Sequence, residues 1–399
     1  MSYYLGIFST HPIQYQTPLW RKLAARDDVR VHVYYASDAS VRGEFNQEFG
    51  VEIKWDIPLL EGYPYTFLEN KARKPGPAHK GFWSFNCPEV FSIQRRERFD
   101  AVLIHGYERY LSWQVIRSAG RTATPILIRG DNREGTGVRR SAAFEFCRSF
   151  VLERLYKRIA IGLSIGSYMR RHYINHGMEE SRIVDCLHCV EDERFEAESQ
   201  ALLPSRSKRR SEMGIREDDL VLIFSGKLIP RKNPMLLARA LKHVQARERV
   251  WIFIAGDGPL YEELERALRD VIGERAVMLG FLNQSQLGNY YSLADLHVLP
   301  SVYESWGLVV NEAMYFGLPA VVTDRVGCGE DLAIPYQTGF IIPNNDAEAL
   351  GRHIQELVGN PALLKKMKEQ AAHHIRQYSM DGAVEGIVEG CRRAKAMCN

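Results

Sequence analysis

Short β-branched runs alternate with amphipathic helical stretches along nearly the whole chain, and the rhythm starts afresh near residue 220. A helix between two strands carries the chain back across the sheet, so the strands it joins lie parallel, and the pattern predicts α/β domains. In the first half, strands are expected at 4–9, 29–35, 101–105, 125–129 and 159–164, with helices at about 13–26, 138–158 and 168–176. In the second half, strands at 220–225, 250–255, 276–279, 296–300 and 320–323 alternate with helices such as 234–247 and 260–271. At ~150 residues per domain, 399 residues allow two or three. A polar stretch rich in Ser and Arg, 196–212, reads as the boundary between the halves.

Composition removes several classes of function. Hydrophobic residues at 45% and charged residues at 25% exclude a disordered or fibrous chain. Lys plus Arg, 52, nearly balances Asp plus Glu, 49, so bulk charge gives no argument for a nucleic-acid partner. No apolar run approaches the ~18 residues of a membrane span. The first ten residues show no basic flank and no small-residue cleavage site, and a cytoplasmic protein is expected. The first 195 residues hold 28 basic against 23 acidic residues, the remainder 24 against 26. Part of that excess sits in 71–80 and 139–158, which read as solvated faces or, more sharply, as contacts to anionic lipid headgroups at the inner face of a membrane. Cys186 and Cys189 form one close pair without the second pair of a zinc ribbon, and the seven cysteines read as reduced thiols.

Two segments concentrate the chemistry. Leu299-Pro300-Ser301-Val302-Tyr303-Glu304-Ser305-Trp306-Gly307-Leu308-Val309-Val310-Asn311-Glu312 runs from a strand end through a short loop into a helix. Ser305 is expected as the N-cap, so that unpaired backbone N–H groups and the positive end of the dipole face a phosphate. Glu312, two turns on, shares the cap's face, and Glu304 precedes it, so a ligand at the cap meets a carboxylate on either side. A helix with an ordinary acidic first turn is the competing reading. The second segment, Ser225-Gly226-Lys227-Leu228-Ile229-Pro230-Arg231-Lys232-Asn233-Pro234, follows the first strand of the second half. Ligands of open α/β sheets sit beyond the carboxyl ends of strands, and Lys227, Arg231 and Lys232 there suit a diphosphate. Basic turns are common, so this segment alone is not specific.

With Ala255-Gly256-Asp257-Gly258-Pro259, Leu279-Gly280-Phe281, Val326-Gly327-Cys328-Gly329-Glu330-Asp331 and Thr338-Gly339-Phe340-Ile341-Ile342-Pro343, these segments resemble, in collinear order over 220–345, the retaining glycosyltransferases of family 4, glycosyltransferase group 1. More loosely, 99–105, 165–169 and 190–195 are similar to segments of that family's N-terminal half. The resemblance implies the GT-B fold, an α/β class of two Rossmann-like parallel-sheet domains facing across a cleft. It assigns 1–195 to the acceptor and 210–375 to the nucleotide sugar, and it returns a terminal helix, 380–397, to the first domain. It implies that Lys232, Lys227 and Arg231 neutralise the donor diphosphate, that Glu304 lies beside the transferred sugar and that Glu312 accepts from the ribose hydroxyls. Backbone around Ser305, Trp306, Gly307 and Leu308 would bind sugar and phosphate, and Phe281 and Leu282 the base. His105 would sit near the reacting centre on the acceptor side, with His11 or Gln14 contacting donor or acceptor.

Three positions depart from the family's pattern. Lys227 stands where Arg is more frequent and lacks its fork, the loop 9–15 lacks phosphate-approaching glycines, and Cys328 stands where Gly is common. Trp83 and Phe85 either stack on an acceptor sugar or pack beneath a long loop. No Asp-x-Asp triplet, P-loop or Gly-x-Gly-x-x-Gly after the first strand is present. The expected function is transfer of a sugar from a UDP-, GDP- or ADP-linked donor to a hydroxyl of a glycan or lipid-linked precursor, with retained configuration and without a metal or other cofactor. An inverting transferase or epimerase of the same fold, and a homologue that only binds nucleotide sugar, are the alternatives; the paired Glu304 and Glu312 argue against the former, and these together with Lys232 against the latter.

Overall fold

The computed structural model describes residues 2–46, 51–53, 56–77, 79, 81–131 and 141–397. The chain divides into two compact units, one made of 1–44, 52–188 and 380–399, the other of 45–51 and 189–379.

The first unit is built on a seven-stranded sheet ordered Tyr65–Phe67, Val29–Tyr35, Tyr3–Ser9, Ala101–His105, Ile126–Arg129, Ile161–Ser164 and Ile183–Asp185. All neighbours are parallel. Strand order reverses direction between Tyr3–Ser9 and Ala101–His105, where Phe8 registers with Ile104. The carboxyl ends of these two strands therefore flank the crevice where ligands of such sheets bind. The C-terminal helix Met380–Ala396 packs on this sheet, and Lys395 pairs with Asp100 at 2.8 Å. The first helix is Thr17–Ala24 rather than 13–26, because Pro18 has no N–H to donate and is tolerated only in a first turn. The long helix is Ala142–Tyr156, capped by Ser141, whose side chain accepts from the Phe144 N–H at 3.2 Å; the residues expected to open it, 138–140, lie outside the described residues. Phe85 is core, while Trp83 is exposed, its ring 4.6 Å from that of Tyr110.

The second unit repeats the plan with six parallel strands ordered Ala276–Gly280, Val250–Ala255, Leu220–Ser225, Leu296–Leu299, Ala320–Thr323 and Gly339–Ile342. Its reversal point lies between Leu220–Ser225 and Leu296–Leu299. Leu222, Phe224, Ile252, Ile254 and Val321 pack with Leu236, Leu264, Leu268, Leu350 and Ile354 from the covering helices.

The polar stretch 196–212 is not the boundary, which falls between 188 and 189. It holds the end of helix Asp192–Leu202 and the whole of Arg206–Glu212, and both belong to the second unit. Arg206 and Arg210 donate to the two oxygens of buried Asp295 at 2.6 and 2.8 Å, and Lys368 adds a third cation at 3.0 Å. Burial pushes the Asp295 carboxyl up, but Lys368, Arg206 and Arg210 hold it below its ordinary range. An Arg-rich segment reads as solvated until its buried acid is known, and Asp295 is remote in sequence. Removing one partner of such a buried cluster leaves uncompensated charge, so Asp295→Ala is expected to lose about 3 kcal/mol of unfolding free energy. A urea midpoint shift at unchanged slope would register it, and an unmoved midpoint would refute it. A carboxyl depressed in the folded state stabilises above its unfolded pKa and stops doing so as pH falls, so the difference from wild type should narrow below pH ~4.

Candidate functional site

In the second unit, two loops leave the strands that flank the reversal point. Beyond Ser225 the chain passes Gly226 and the half-buried Lys227 into a single 3₁₀ turn, Pro230–Lys232, closed by Asn233 in the left-handed region. Beyond Leu299 it runs through Pro300–Gly307. The loops are tied main chain to main chain, Val302 N–H donating to the Arg231 carbonyl at 2.9 Å. Arg231 donates to the Tyr303 carbonyl at 3.3 Å and lies 3.8 Å from Glu304 Oε2. Lys232 Nζ donates to the same carboxylate oxygen in an ion pair whose side chains are only 11% and 14% exposed. The Glu304 backbone is pinned from the other side, its N–H to the Arg325 carbonyl at 3.1 Å and its carbonyl to the Gly327 N–H at 3.0 Å. A carboxylate held at both ends in this way is preorganised, and it reaches its site without the entropy cost of ordering a free side chain.

The helix after this loop begins at Leu308, not at Ser305. Its cap is Gly307, with φ of 106°, a conformation open to glycine; a Cβ there would also come within 2.8 Å of Leu299 Cδ2. Ser305 lies ahead of the cap and no side chain caps the helix. The helix opens with the Val310 N–H donating to the Gly307 carbonyl at 2.9 Å, and the positive end of its dipole lies at this start. Gly327 permits the neighbouring loop to touch this one, since a Cβ on it would stand 1.9 Å from the Ser305 carbonyl oxygen. Cys328, unusual in the resembling pattern, is accommodated in the same contact, its N–H donating to the Trp306 carbonyl at 3.0 Å. The Trp306 ring is buried and donates to Asn311 Oδ1 at 2.9 Å, so its indole is engaged within the unit.

Glu312 departs most from expectation. It is 6% exposed and accepts from the Tyr291 hydroxyl at 3.2 Å, instead of standing open on the cap's face. Burial raises its carboxyl to about 7, while Arg194, Tyr291 and Gln284 pull it down and Glu198 pushes it up. Phe281 and Leu282, half-buried, follow Gly280 on the edge strand, two strands from the reversal point but on the same carboxyl side of the sheet. The structure thus brings Lys232, Arg231 and Glu304 together and places Ser305–Leu308 at the adjoining helix start.

In the first unit, His11 and Gln14 lie on the loop after Ser9, and His105 ends the adjacent strand. His11 Nδ1 is 2.9 Å from Thr10 Oγ1, and burial together with Arg109 lowers its pKa to about 4. His105 Nδ1 lies 3.4 Å from Gln16 Nε2, while its Nε2 and the Gln14 Oε1 are buried without a hydrogen-bond partner. Burial and the charge of Arg129 lower His105 to about 3, so the ring is neutral. Arg129 ends the next strand and reaches His188 Nδ1 at 3.4 Å and Cys186 Sγ at 3.3 Å. None of the described cysteines is in a disulfide. Gln16, Arg129 and His188 were not singled out from sequence; for Arg129 the signal was there, a charged residue closing an apolar strand. Among the described residues, no three His, Cys, Asp or Glu side chains converge as a metal would require.

Residues 205–374 match the family described as glycosyl transferases group 1. The second unit carries a group 1 glycosyltransferase domain. Among relatives of this group 1 domain, the D-inositol 3-phosphate glycosyltransferase of Streptomyces bingchenggensis is 30% identical over 199 residues, which are 46% of this chain and 43% of that protein. The chain thus spans less than half the length of the curated relatives it matches. In fold it is similar to Anabaena HepE in complex with UDP and glucose, with TM-score 0.68, 15% identity and 97% and 98% of the two chains covered. It is also similar to WaaG, a glycosyltransferase involved in lipopolysaccharide biosynthesis, with TM-score 0.64, 15% identity and 96% and 98% covered. Two Rossmann-like parallel-sheet domains, one of them a group 1 domain, make this a GT-B protein. Within the group 1 domain, sequence reasoning missed Tyr291 and His297, which with Ser225 form a hydrogen-bonded run that ends on Glu312.

Proposed function

We propose that the chain is a retaining glycosyltransferase that moves a sugar from a nucleotide-diphosphate donor to a hydroxyl of a glycan or lipid-linked glycan precursor, in polysaccharide biosynthesis. The observation that carries this reading is the Lys232–Glu304 pair at the reversal point of the second sheet, a cation fit for a leaving diphosphate next to a carboxylate fit for the sugar. The UDP and glucose bound by HepE and the part WaaG takes in lipopolysaccharide biosynthesis support the donor and acceptor classes.

In this reading Lys232, Lys227, Arg231 and the N–H groups opening Leu308–Tyr315 disperse the charge of the departing diphosphate. Glu304 stabilises positive charge as it develops on the sugar, Glu312 accepts from the ribose, and Phe281 with Leu282 holds the base. On the acceptor side His105 is neutral, so its unpartnered Nε2 can exchange a hydrogen bond with the attacking hydroxyl, and His11 and Gln14 orient the same molecule. No step is assigned to a metal or cofactor. Thermal shift against UDP-, GDP- and ADP-sugars, followed by NMR of the product anomer, tests it. An inverted product would make it an inverting enzyme, and donor binding without transfer or hydrolysis would leave only a binding protein.

Contact with an anionic membrane has its own observation. Helix Ala142–Tyr156 exposes Phe144, Phe146 (74%), Phe150 and Val151 beside Arg154, Lys157 and Arg158. Lys80 and Arg139, the outer members of the basic runs, lie outside the described residues. No helix among the described residues is long and apolar enough to cross a membrane, so the contact would be peripheral. Each cation near an anionic surface is worth ~1 kcal/mol, and apolar rings settle at the headgroup boundary. At low salt the protein should float with anionic vesicles and not with neutral ones, and Phe146→Ser should weaken this; equal flotation with both vesicle types would sink the idea.

A further inference from the structure

Behind the Lys232–Glu304 pair lies a chain of buried polar side chains that the proposed chemistry leaves unused. His297 Nε2 is 3.1 Å from Ser225 Oγ, Ser225 Oγ is 2.8 Å from Tyr291 Oη, and Tyr291 Oη is 3.2 Å from Glu312 Oε2. All four residues are buried. Ser225 and His297 come from the two strands at the reversal point, with Ile223 in register with His297. Tyr291 closes helix Gln284–Tyr291, and Glu312 belongs to the helix that begins after Gly307. At the other end, His297 Nδ1 is buried with no hydrogen-bond partner, and burial and the Lys232 charge lower the imidazole to about 3.

These constraints set the direction of the chain. A neutral imidazole carries one N–H, and a buried N–H without an acceptor costs more than an unused lone pair. The proton therefore sits on Nε2, where Ser225 accepts it. Ser225 then donates to Tyr291, and Tyr291 donates to the Glu312 carboxylate. Every donor points toward Glu312 and none away from it.

We propose that Tyr291, Ser225 and His297 are positioning residues that hold Glu312 as a hydrogen-bond acceptor for the donor nucleotide. This rests on the reading of Glu312 as the group that meets the ribose. Arg194, Tyr291 and Gln284 pull the carboxyl down against its burial, which favours the ionised acceptor form. The other groups that face Glu312 are Arg194 and Glu198 of helix Asp192–Leu202, and Gln284, so Tyr291 is not its sole influence. Tyr291 is, however, the member that links it to Ser225 and His297.

Two measurements test the proposal, one of them without any ligand. In ¹⁵N-histidine-labelled full-length protein, His297 should show the Nε2–H tautomer, and the Nδ1–H form would overturn the proposal. In the same ligand-free state the Glu312 carboxyl, followed by ¹³C NMR, should titrate at least about half a unit higher in Tyr291→Phe, which removes one donor hydrogen bond to the ionised form. Ser225→Ala, which keeps the tyrosine, should move it in the same direction by less. An unmoved midpoint in Tyr291→Phe would overturn the proposal, and should that variant fail to fold, an unmoved midpoint in Ser225→Ala would do so. Calorimetry with UDP, GDP and ADP supplies the second arm. Tyr291→Phe should weaken the nucleotide that binds by about twofold or more at pH 7 and by much less at pH 9, where Glu312 is ionised regardless. An equal loss at both pH values would indicate a packing role and overturn the positioning role. If no nucleotide binds wild type, the donor-site reading fails, and the NMR arm still decides the chain.

Discussion

Glu304→Gln is expected to lower kcat by about a hundredfold or more, the scale on which removal of one preorganised electrostatic group acts on a developing charge. Its carboxylate is paired with Lys232 and its backbone is pinned to Arg325 and Gly327, so the substitution changes charge with little movement of the loop. Ground-state binding should not suffer. In the ligand-free protein Glu304 occupies Lys232, and a diphosphate must compete with it, so Glu304→Gln should bind nucleoside diphosphate as tightly as wild type or more tightly. Glu312→Gln makes the contrast. A ribose contact is the same in ground and transition states, and such uniform binding appears in KM and not in kcat. Steady-state kinetics on both variants check the pair of expectations. The same KM-only change in both would remove Glu304 from the chemistry and leave a binding site.

Lys232→Ala is expected to weaken nucleoside diphosphate binding at least tenfold, measured by calorimetry. Charge-assisted hydrogen bonds contribute ~1.5 to 3 kcal/mol, and ~1.4 kcal/mol is one factor of ten. Two effects act in the same direction. The phosphates lose a cation, and Glu304, one of whose partners is gone, turns an uncompensated carboxylate toward them. The double variant Lys232→Ala/Glu304→Gln should therefore recover part of the loss, a non-additivity expected of directly paired groups. Lys227→Ala should cost less. Unchanged affinity in Lys232→Ala would remove this lysine from the site.

What could be read directly from the chain was whatever depends on neighbours in sequence. Strand and helix alternation specifies parallel sheets, and the segments after Ser225 and Leu299 were recognisable as the loops that carry Lys232 and Glu304. Both features are local, because periodicity and strand-end chemistry are properties of consecutive residues. Three features needed the folded chain. The helix cap passed from Ser305 to Gly307 because Leu299 and Val326, on other elements, close around that position and leave no room for a Cβ. The segment 196–212 is helical packing inside the second unit and not its boundary, because buried Asp295 gathers its arginines. Glu312 looked like an open carboxylate and is a buried one near neutrality, coupled through Tyr291 and Ser225 to His297. Burial and electrostatics are sums over everything that surrounds a group in space, and for Glu312 those surroundings come from helices and strands that only the tertiary structure brings together.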